Sequence, residues 1–272
     1  MTQPRPEVVW SMRSTETVAM GWLSWFNSAR LVAPERFYAR DVEFQRLGLQ
    51  QRVIGRDSVA EVLREEVERR RGRHLKCIEM LGDSDGVAIE AECQGFDPES
   101  QQFDSPYVRL GPMLIFLTIR EGLITQDHSY VAAAPQRIAA IGLDEVTWES
   151  SRKPMPELLQ LWEQRYNSDP VAMMMDCYSA DGTVMAMRIG AKPVARDAQI
   201  ATEQRSAAAF PGRRIEVKRW LSAADAIGVE LTWEGRHHRD PNRSLRTISA
   251  CYLRLRDGCI AIDHTYVPTG LA

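Results

Sequence analysis

The sequence contains an Asp-His-x-Tyr segment twice, at residues 127–130 and again at residues 263–266. Histidine exchanges protons near neutral pH, and a tyrosine hydroxyl can hydrogen-bond an oxyanion that develops on a substrate. Because neighbouring side chains of a strand point to opposite faces, His128 and Tyr130 share one face and Asp127 takes the other. The apolar character of their same-face neighbours predicts that the His and Tyr side chains look into an interior pocket.

Both segments could instead be purely structural, with each histidine bonded to a backbone carbonyl and each tyrosine packed in a core. Duplication copies a fold and a site alike, so the repetition does not decide between these readings. For Asp127 and Asp263, a solvated position on the outer face of the sheet is the preferred interpretation. The candidate catalytic residues are His128, Tyr130, Asp127 and Arg109, with His264, Tyr266 and Asp263 in the second copy.

Other side chains could complete a pocket around these groups. A buried arginine could orient a phenolate, carboxylate or enolate and would lower the pKa of a neighbouring acid. Methionine and tryptophan would form an adaptable apolar lining for a flat aromatic or polycyclic ligand, although at these spacings they more often form an ordinary core. The candidate substrate-binding residues are Trp22, Arg46, Tyr107, Trp162, Met185 and His237.

Metal and cofactor signatures are missing from the sequence. His237 and His238 are adjacent, so on a strand they face opposite sides and chelate poorly. The five cysteines form no CxxC pair, and phosphate-binding glycine loops and nucleophile elbows are absent. We therefore expect neither a metal nor a cofactor.

Composition limits the partners. With 44% hydrophobic and 26% charged residues and a net charge of −3, the chain resembles a globular protein without the concentrated basic face that nucleic acid requires. The sequence contains neither an apolar signal segment nor a run long enough to span a membrane. The expectation is a cytoplasmic protein that binds a hydrophobic small molecule and forms a homo-oligomer or an intrachain pseudo-dimer, with no nucleic-acid or membrane partner.

An internal repeat organises the chain. Besides the segment above, five features of the first half recur in the second at a constant offset of 140 residues: Trp22, Asn27, Tyr38, Asp41 and the pair Arg56-Asp57 match Trp162, Asn167, Tyr178, Asp181 and Arg196-Asp197. The repeat predicts two tandem domains, 1–145 and 146–272.

Each half shows the same order of predicted elements. Apolar spacing predicts a first helix over 15–27, and a short second helix is expected to end near Tyr38. A strand and a third helix over 59–70 follow, and then strands over 86–95, 108–120 and 122–131. The dipeptides Glu121-Gly122 and Asp257-Gly258 predict tight hairpin turns before the last strand. Helices followed by a long sheet indicate the α+β class, with the helices on one face of a curved sheet.

This order, with Tyr-x-x-Asp at residues 38–41 and 178–181 and an acidic-Gly-x-Ile turn at 121–124 and 257–260, resembles the NTF2-like superfamily in its SnoaL-like, polyketide-cyclase branch. The resemblance implies two cone-shaped barrels, each a curved antiparallel sheet wrapped on about three helices. It also marks Asp127 and Asp263 as the nearest matches to the acid/base aspartate near the end of SnoaL-like cyclases. The catalytic tyrosine and aspartate of ketosteroid isomerase are replaced by Trp22 and Arg46, which excludes that mechanism.

Two functions remain open. The first is a cofactor-independent acid/base enzyme, of the lyase, isomerase, cyclase or dehydratase type, acting on a hydrophobic oxygenated aromatic or polycyclic molecule. The second is a non-catalytic binding or assembly protein in which the second copy takes the place of a homodimer partner. The interior of each cone distinguishes them, because only the enzyme needs an acid/base group there.

Overall fold

A computed structural model describes residues 14–28, 30–47, 51–69, 72–96, 107–131, 146–187, 190–240 and 244–267. The first half contains α1 (Thr15–Phe26), a 3₁₀ turn (Pro34–Arg36), β1 (Tyr38–Leu47), β2 (Gln51–Ile54), α2 (Arg56–Arg69), β3 (His74–Gly82), β4 (Gly86–Phe96), β5 (Tyr107–Arg120) and β6 (Leu123–Val131). The second half contains α3 (Glu157–Ser168), α4 (Pro170–Cys177), β7 (Tyr178–Ala186), β8 (Val194–Ala195), α5 (Arg196–Ala209), β9 (Arg214–Ser222), β10 (Ala226–Arg236), β11 (Ser244–Arg256) and β12 (Cys259–Tyr266).

The two halves have the same topology. Each sheet has six strands, in the order β2-β1-β6-β5-β4-β3 and β8-β7-β12-β11-β10-β9. The predicted α+β class and the tandem arrangement are confirmed. The sheets are mixed rather than wholly antiparallel, because β1 pairs with β6, and β7 with β12, in the parallel sense. The predicted boundary near residue 145 falls within 132–145, outside the described residues.

The predicted elements differ from the structure in two places. The second helix of the first half is only the 3₁₀ turn before β1, whereas its counterpart α4 has eight residues. The edge strands β2, β3, β8 and β9 were not predicted, although the alternation of charged and apolar residues at the start of β9 is typical of a half-buried strand. The predicted turns are confirmed, and Glu121 and Gly122 both have positive φ, at 51° and 78°.

Each sheet curves around its own helices, and an apolar core fills the space between them. In the first half, α1 begins at the cap Ser14, whose side chain accepts from the backbone N–H of Thr17. The apolar face of α1 packs on β1, β4 and β5 in one core cluster, and α3 and α4 pack on β9, β10 and β11 in another. Among the described residues, no helix has the length and apolarity to cross a membrane.

The repeated asparagines fasten the first helix of each half to the edge of its sheet. The Asn27 amide donates to the carbonyl of Leu75 at 3.0 Å and accepts from the backbone N–H of Leu75 at 2.8 Å. Asn167 makes the same two bonds with Ile215 on β9, at 2.9 and 2.7 Å. Two bonds to one backbone unit fix both position and direction, which explains why this residue occurs at the same place in each copy.

The outer faces of the two sheets pack against each other. The cluster between them joins residues of both halves, among them Leu114, Phe116, Tyr130, Ala250, Tyr252 and Tyr266. Ala88 lies beside Gly228, the residue 140 positions further along the chain. A position that meets its own counterpart indicates the two-fold type of contact found in symmetric dimers.

The Ala88–Gly228 contact gives a stability prediction. A Cβ added at Gly228 would lie 2.8 Å from the Ala88 Cβ and 3.2 Å from the Phe116 ring. We expect Gly228→Ala to lower the free energy of unfolding by about 1–3 kcal/mol, because overpacking displaces both sheets. Chemical denaturation measures this. Adding Ala88→Gly should recover part of the loss, and an unchanged midpoint for Gly228→Ala alone would contradict the close approach.

Candidate active site

A β-bulge in the last strand decides which side chains enter each cone. Thr118 pairs with Gln126, but the next residue of β5, Ile119, pairs with Ile124, so Thr125 is an extra residue in β6. The bulge reverses the alternation, and Ile124 and Asp127 therefore both face the core. The interior orientation predicted for His128 and Tyr130 is wrong for this reason. The outer, solvated position preferred for Asp127 and Asp263 is wrong as well, since both carboxylates are buried.

The second half carries the same irregularity. Arg254 pairs with Ile262 and Leu255 with Ile260, which leaves Ala261 as the extra residue of β12. Asp263 therefore faces the second cone, while His264 points to the outer face of its sheet. The bulge is thus part of the repeated unit.

Inside the first cone, three side chains form a hydrogen-bonded chain. The indole N–H of Trp22 donates to the Tyr38 hydroxyl at 2.8 Å, and that hydroxyl donates to Asp127 Oδ2 at 2.8 Å. Ser129 donates to Asp127 Oδ1 at 3.2 Å. All four residues are buried, so α1, β1 and β6 are joined at one carboxylate.

The second cone repeats this chain. Trp162 donates to the Tyr178 hydroxyl at 3.1 Å, and Tyr178 donates to Asp263 Oδ2 at 2.6 Å. Thr265 takes the place of the serine and donates to Asp263 Oδ1 at 2.8 Å. We call each set of Trp, Tyr and Asp the cone triad. Two of the residues that marked the repeat in the sequence, Trp22 and Tyr38, are therefore those that connect the first helix to the carboxylate.

The electrostatics of both triads raise the pKa of the buried carboxyl. Burial raises the pKa of Asp127 above its ordinary value of 3.8, although the bond from Tyr38 and the charge of Arg46 act in the opposite direction. Burial likewise raises the pKa of Asp263 against the bonds from Tyr178 and Thr265. A carboxyl whose pKa moves toward neutrality can both accept and return a proton, as acid/base catalysis requires.

The first cone also holds a cluster of buried charges, which we call the arginine cluster and define as Arg46, Glu66 and Arg73. Arg46 forms an ion pair with Glu66 Oε1, and Arg73 Nη1 lies 3.0 Å from Glu66 Oε2. The Arg73 guanidinium also stacks 4.0 Å from the centre of the Phe26 ring. Burial lowers the pKa of Arg46 and of Arg73 to about 10, so both stay charged at neutral pH.

The second cone has only part of this cluster. Arg213 pairs with Glu203 at 2.5 Å and lies 4.5 Å from the centre of the Tyr166 ring, as Arg73 does with its own partners. The position that matches Arg46 is Ala186, which is exposed. The two cones therefore share the triad and differ by one buried cation.

His128 and Tyr130 reach across to the other half. His128 Nδ1 lies 2.8 Å from Glu230 Oε1, and the Tyr130 hydroxyl donates to the same oxygen at 2.8 Å. Arg219 Nη1 lies 3.1 Å from Glu230 Oε2. The histidine and the glutamate are completely buried. This set is the first crossed cluster.

The second crossed cluster exchanges the roles of the halves. His264 Nδ1 lies 2.6 Å from Glu90 Oε1, and Tyr266 donates to that oxygen at 2.7 Å. The His264 side chain is 17% exposed, and Glu90 Oε2 has no hydrogen-bond partner among the described residues. The two clusters correspond position by position, but the first is drier and has an arginine besides.

The remaining predicted residues lie in separate places. Met185 is the register neighbour of His264 on β7, so it shares the outer face and does not line the second cone as predicted. His237 follows β10 and lies 5.2 Å from the Phe210 ring, near the second cone. Tyr107 and Arg109 pair with β4 through their backbones, and their side chains lie outside the described part of the chain.

Sequence reasoning missed the carboxylates of the crossed clusters. Glu90 lies in the apolar run Val87–Ala91, and Glu230 lies in the matching run of β10. A single charge inside a buried apolar strand, repeated at the offset of the duplication, is the signal that could have found them, because buried charges need partners. Which partners they take follows only from the packing of one half on the other.

Glu230 gives the stability a defined pH dependence. Burial alone would raise its pKa, but the charges of His128 and Arg219 and the bonds from His128 and Tyr130 prevail and lower it below 4.5. A carboxylate with a lowered pKa stabilises the fold above its ordinary pKa, and this contribution is lost as the pH falls through the folded value. We expect the free-energy difference between wild type and Glu230→Gln to be largest above pH ~5 and to shrink in acid. A difference that is constant from pH 3 to pH 7 would contradict the assignment.

Comparison with known proteins gives no match to any family model and no match among curated proteins. Solved structures match one half of the chain at a time. A hypothetical protein from Catenulispora acidiphila with a ketosteroid isomerase-like fold, solved with trimethylamine, has 21% identity over 42% of this chain and 86% of its own, with a TM-score of 0.37.

Two Streptomyces structures give similar values. AclR of Streptomyces galilaeus, a proposed hydroxylase, has 16% identity over 40% of this chain and 72% of its own, at a TM-score of 0.37. IdmH of Streptomyces antibioticus, a proposed polyketide cyclase, has 17% identity over 41% and 89%, also at 0.37. At these identities the likeness concerns the fold, and the reaction of this chain has to be inferred from its own side chains.

Proposed function

We propose that this chain is a cofactor-independent acid/base enzyme whose reacting group is the Asp127 carboxyl in the first cone. The observation that carries the proposal is the cone triad, in which a buried carboxyl with a raised pKa is held by two hydroxyl donors. A carboxyl of raised pKa among the apolar side chains of the first core cluster, with the arginine cluster beside it, suits a hydrophobic, oxygenated aromatic or polycyclic substrate.

The chemistry follows from the protonation states of Asp127. The ionised carboxylate takes a proton from a carbon next to a substrate carbonyl, and the C–H electrons move into the carbonyl to give an enolate. Arg46 lies on the neighbouring strand one rung beyond the Phe44–Asp127 pair, and its positive charge offsets the negative charge that develops on the substrate. The enolate is then reprotonated at another atom or attacks a second carbonyl, and Asp127 returns its proton to the product. Isomerisation and ring closure share these steps.

Tyr38 and Trp22 position the acid rather than react. Burial and the adjacent Asp127 raise the pKa of Tyr38 far above its ordinary value, so the phenol stays protonated and always donates to the carboxylate. The Trp22 bond fixes the tyrosine oxygen as an acceptor on its other side. Asp127 is therefore held in one orientation when it gains or loses a proton.

Hydrogen–deuterium exchange tests the proposal without knowledge of the full reaction. A panel of aromatic and polycyclic methyl ketones and β-keto esters is incubated with the protein in D₂O, and NMR follows the protons next to the carbonyl. We expect exchange of at least one compound above the buffer rate, dependent on Asp127. Exchange that is equal with and without an intact Asp127 would contradict the proposal.

The second candidate, an assembly or binding protein, is favoured by the two crossed clusters. They place the most thoroughly buried ion pair of the described residues between the halves rather than at a cone. On this reading the triads only brace each helix, and Asp127 variants change stability but no reaction.

A further inference from the structure

The arginine cluster carries one buried cation more than its carboxylate can neutralise. Arg46 and Arg73 share Glu66, and both arginine side chains are at least nine-tenths buried. The Nε atoms of Arg46 and Arg73 are buried and have no hydrogen-bond partner among the described residues. Uncompensated buried charge is costly, so its retention needs a reason.

Asp127 supplies the missing negative charge only while it is ionised. The register places Phe44 beside Asp127 and Arg46 beside Ser129, so the guanidinium and the carboxylate lie on adjacent strands of the same interior face. When Asp127 holds a proton, the two arginines of the cluster face one glutamate, and these described groups together carry a net positive charge. A bound anionic group would restore neutrality in that state.

The second cone serves as an internal comparison. It keeps the triad, the aromatic ring under the arginine and an Arg–Glu pair, although its glutamate is Glu203 and the counterpart of Glu66 is Ser206. Ala186 stands where the first cone has Arg46. The common parts are explained by the fold that the halves share. The shared fold does not explain Arg46, because the second half forms the same fold without an arginine at this position.

We infer that the first cone binds a carboxylate group of its aromatic ligand, and that the Arg46 guanidinium receives that group. The inference rests on the proposed function in taking this ligand as the substrate. Arg46 can then offer its free Nε–H to the anion while one Nη stays on Glu66. The second cone lacks this group and would not distinguish an acid from its neutral analogue.

The test compares 2-naphthoate with 2-naphthamide, a neutral molecule of nearly the same shape, by titration calorimetry. Wild type should bind the naphthoate at least about tenfold more tightly, as expected for a charge-assisted hydrogen bond in a dry site. Arg46→Met should remove this preference and leave the naphthamide affinity unchanged. Arg46→Lys should retain part of it, because the charge remains while the planar fork is lost.

Arg52→Met is the matched control, because Arg52 pairs with Glu43 on the partly exposed outer side of the same strands. It removes the same charge from the same domain and should leave the preference intact. Equal affinity of wild type for both compounds, no binding of either, or an equal loss of both in Arg46→Met would each overturn the inference.

The same titration separates this inference from the proposed function. Asp127→Asn should bind 2-naphthoate as tightly as wild type or more tightly, because a nearby negative charge is gone, while exchange activity is lost. If Asp127→Asn keeps its exchange activity but Arg46→Met loses the preference, the carboxylate site stands and the catalytic assignment fails.

Discussion

Glu230→Ala should lower the free energy of unfolding by about 3–5 kcal/mol, because removing one partner of a buried ion pair leaves the others uncompensated. This carboxylate is contacted by polar atoms of His128, Tyr130 and Arg219. All three side chains are buried. For a chain of this size the change corresponds to a fall in the melting temperature of roughly 10 °C. Chemical denaturation followed by circular dichroism measures it.

Glu90→Ala is the matched control, because Glu90 occupies the corresponding position in the second crossed cluster. His264 is partly exposed, so water can replace the lost oxygen there, and no arginine contacts Glu90 in the described structure. The loss should therefore be clearly smaller than for Glu230→Ala. Equal losses below about 1 kcal/mol, the range of surface pairs, would show that the crossed clusters contribute little to stability.

The position of His128 also changes what its replacement should do. The interior, catalytic position that the sequence predicts for His128 implies that His128→Ala abolishes turnover and leaves the melting temperature nearly unchanged. In the structure the imidazole is buried against Glu230 between the halves, on the opposite face of β6 from Asp127. We now expect His128→Ala to act mainly on stability.

Asp127→Asn should reduce turnover by a factor of about 10²–10⁴, the usual contribution of a positioned acid/base group. Asparagine keeps a carbonyl oxygen for the Tyr38 donor and turns its amide NH2 toward the Ser129 hydroxyl, which can accept, but it cannot take a proton from carbon. Stability should be retained or rise at neutral pH. The sign follows from the raised pKa of Asp127, since a buried acid of this kind favours the fold when protonated and disfavours it when ionised.

Asp263→Asn separates the two cones, because it makes the same change in the second triad. It should have the same small effect on the melting temperature and leave the Asp127-dependent exchange intact. A large loss of stability in Asp127→Asn, together with unchanged exchange, would show that the triad is a structural brace. Loss of exchange with a stable fold would favour catalysis.

The sequence predicts the fold better than the site, and the reason is local. Trp22, Tyr38 and Asp127 could be recognised as repeated residues, and so the duplication and the order of elements were within reach. The bulge at Thr125 could not be predicted, because no residue type at this position is specific for a bulge. One extra residue moved Asp127 into the cone and His128 out of it.

Contacts between the halves were still harder to predict from the sequence. The bond from His128 to Glu230 joins residues 102 positions apart, on strands of different sheets. Periodicity within a strand reports which face is buried, but it does not say what covers that face. Because one sheet packs on the other, His128 and His264, which the sequence marks as catalytic candidates, lie at the interface between the halves.

Because the two copies are fused in one chain, their contact surfaces can differ in sequence. In an assembly of identical chains, any substitution enters both sides of the contact at once and must be tolerated twice. Here Arg219 faces Glu230 on the neighbouring strand, while the corresponding position in the first half is Glu79, opposite Glu90 and paired across the interface with Arg254 at 2.5 Å. Because one chain carries both sides of the contact, dilution cannot separate the two halves. Each copy could therefore acquire its own charges: Arg219 at the contact in the second half, and Arg46 in the cone of the first.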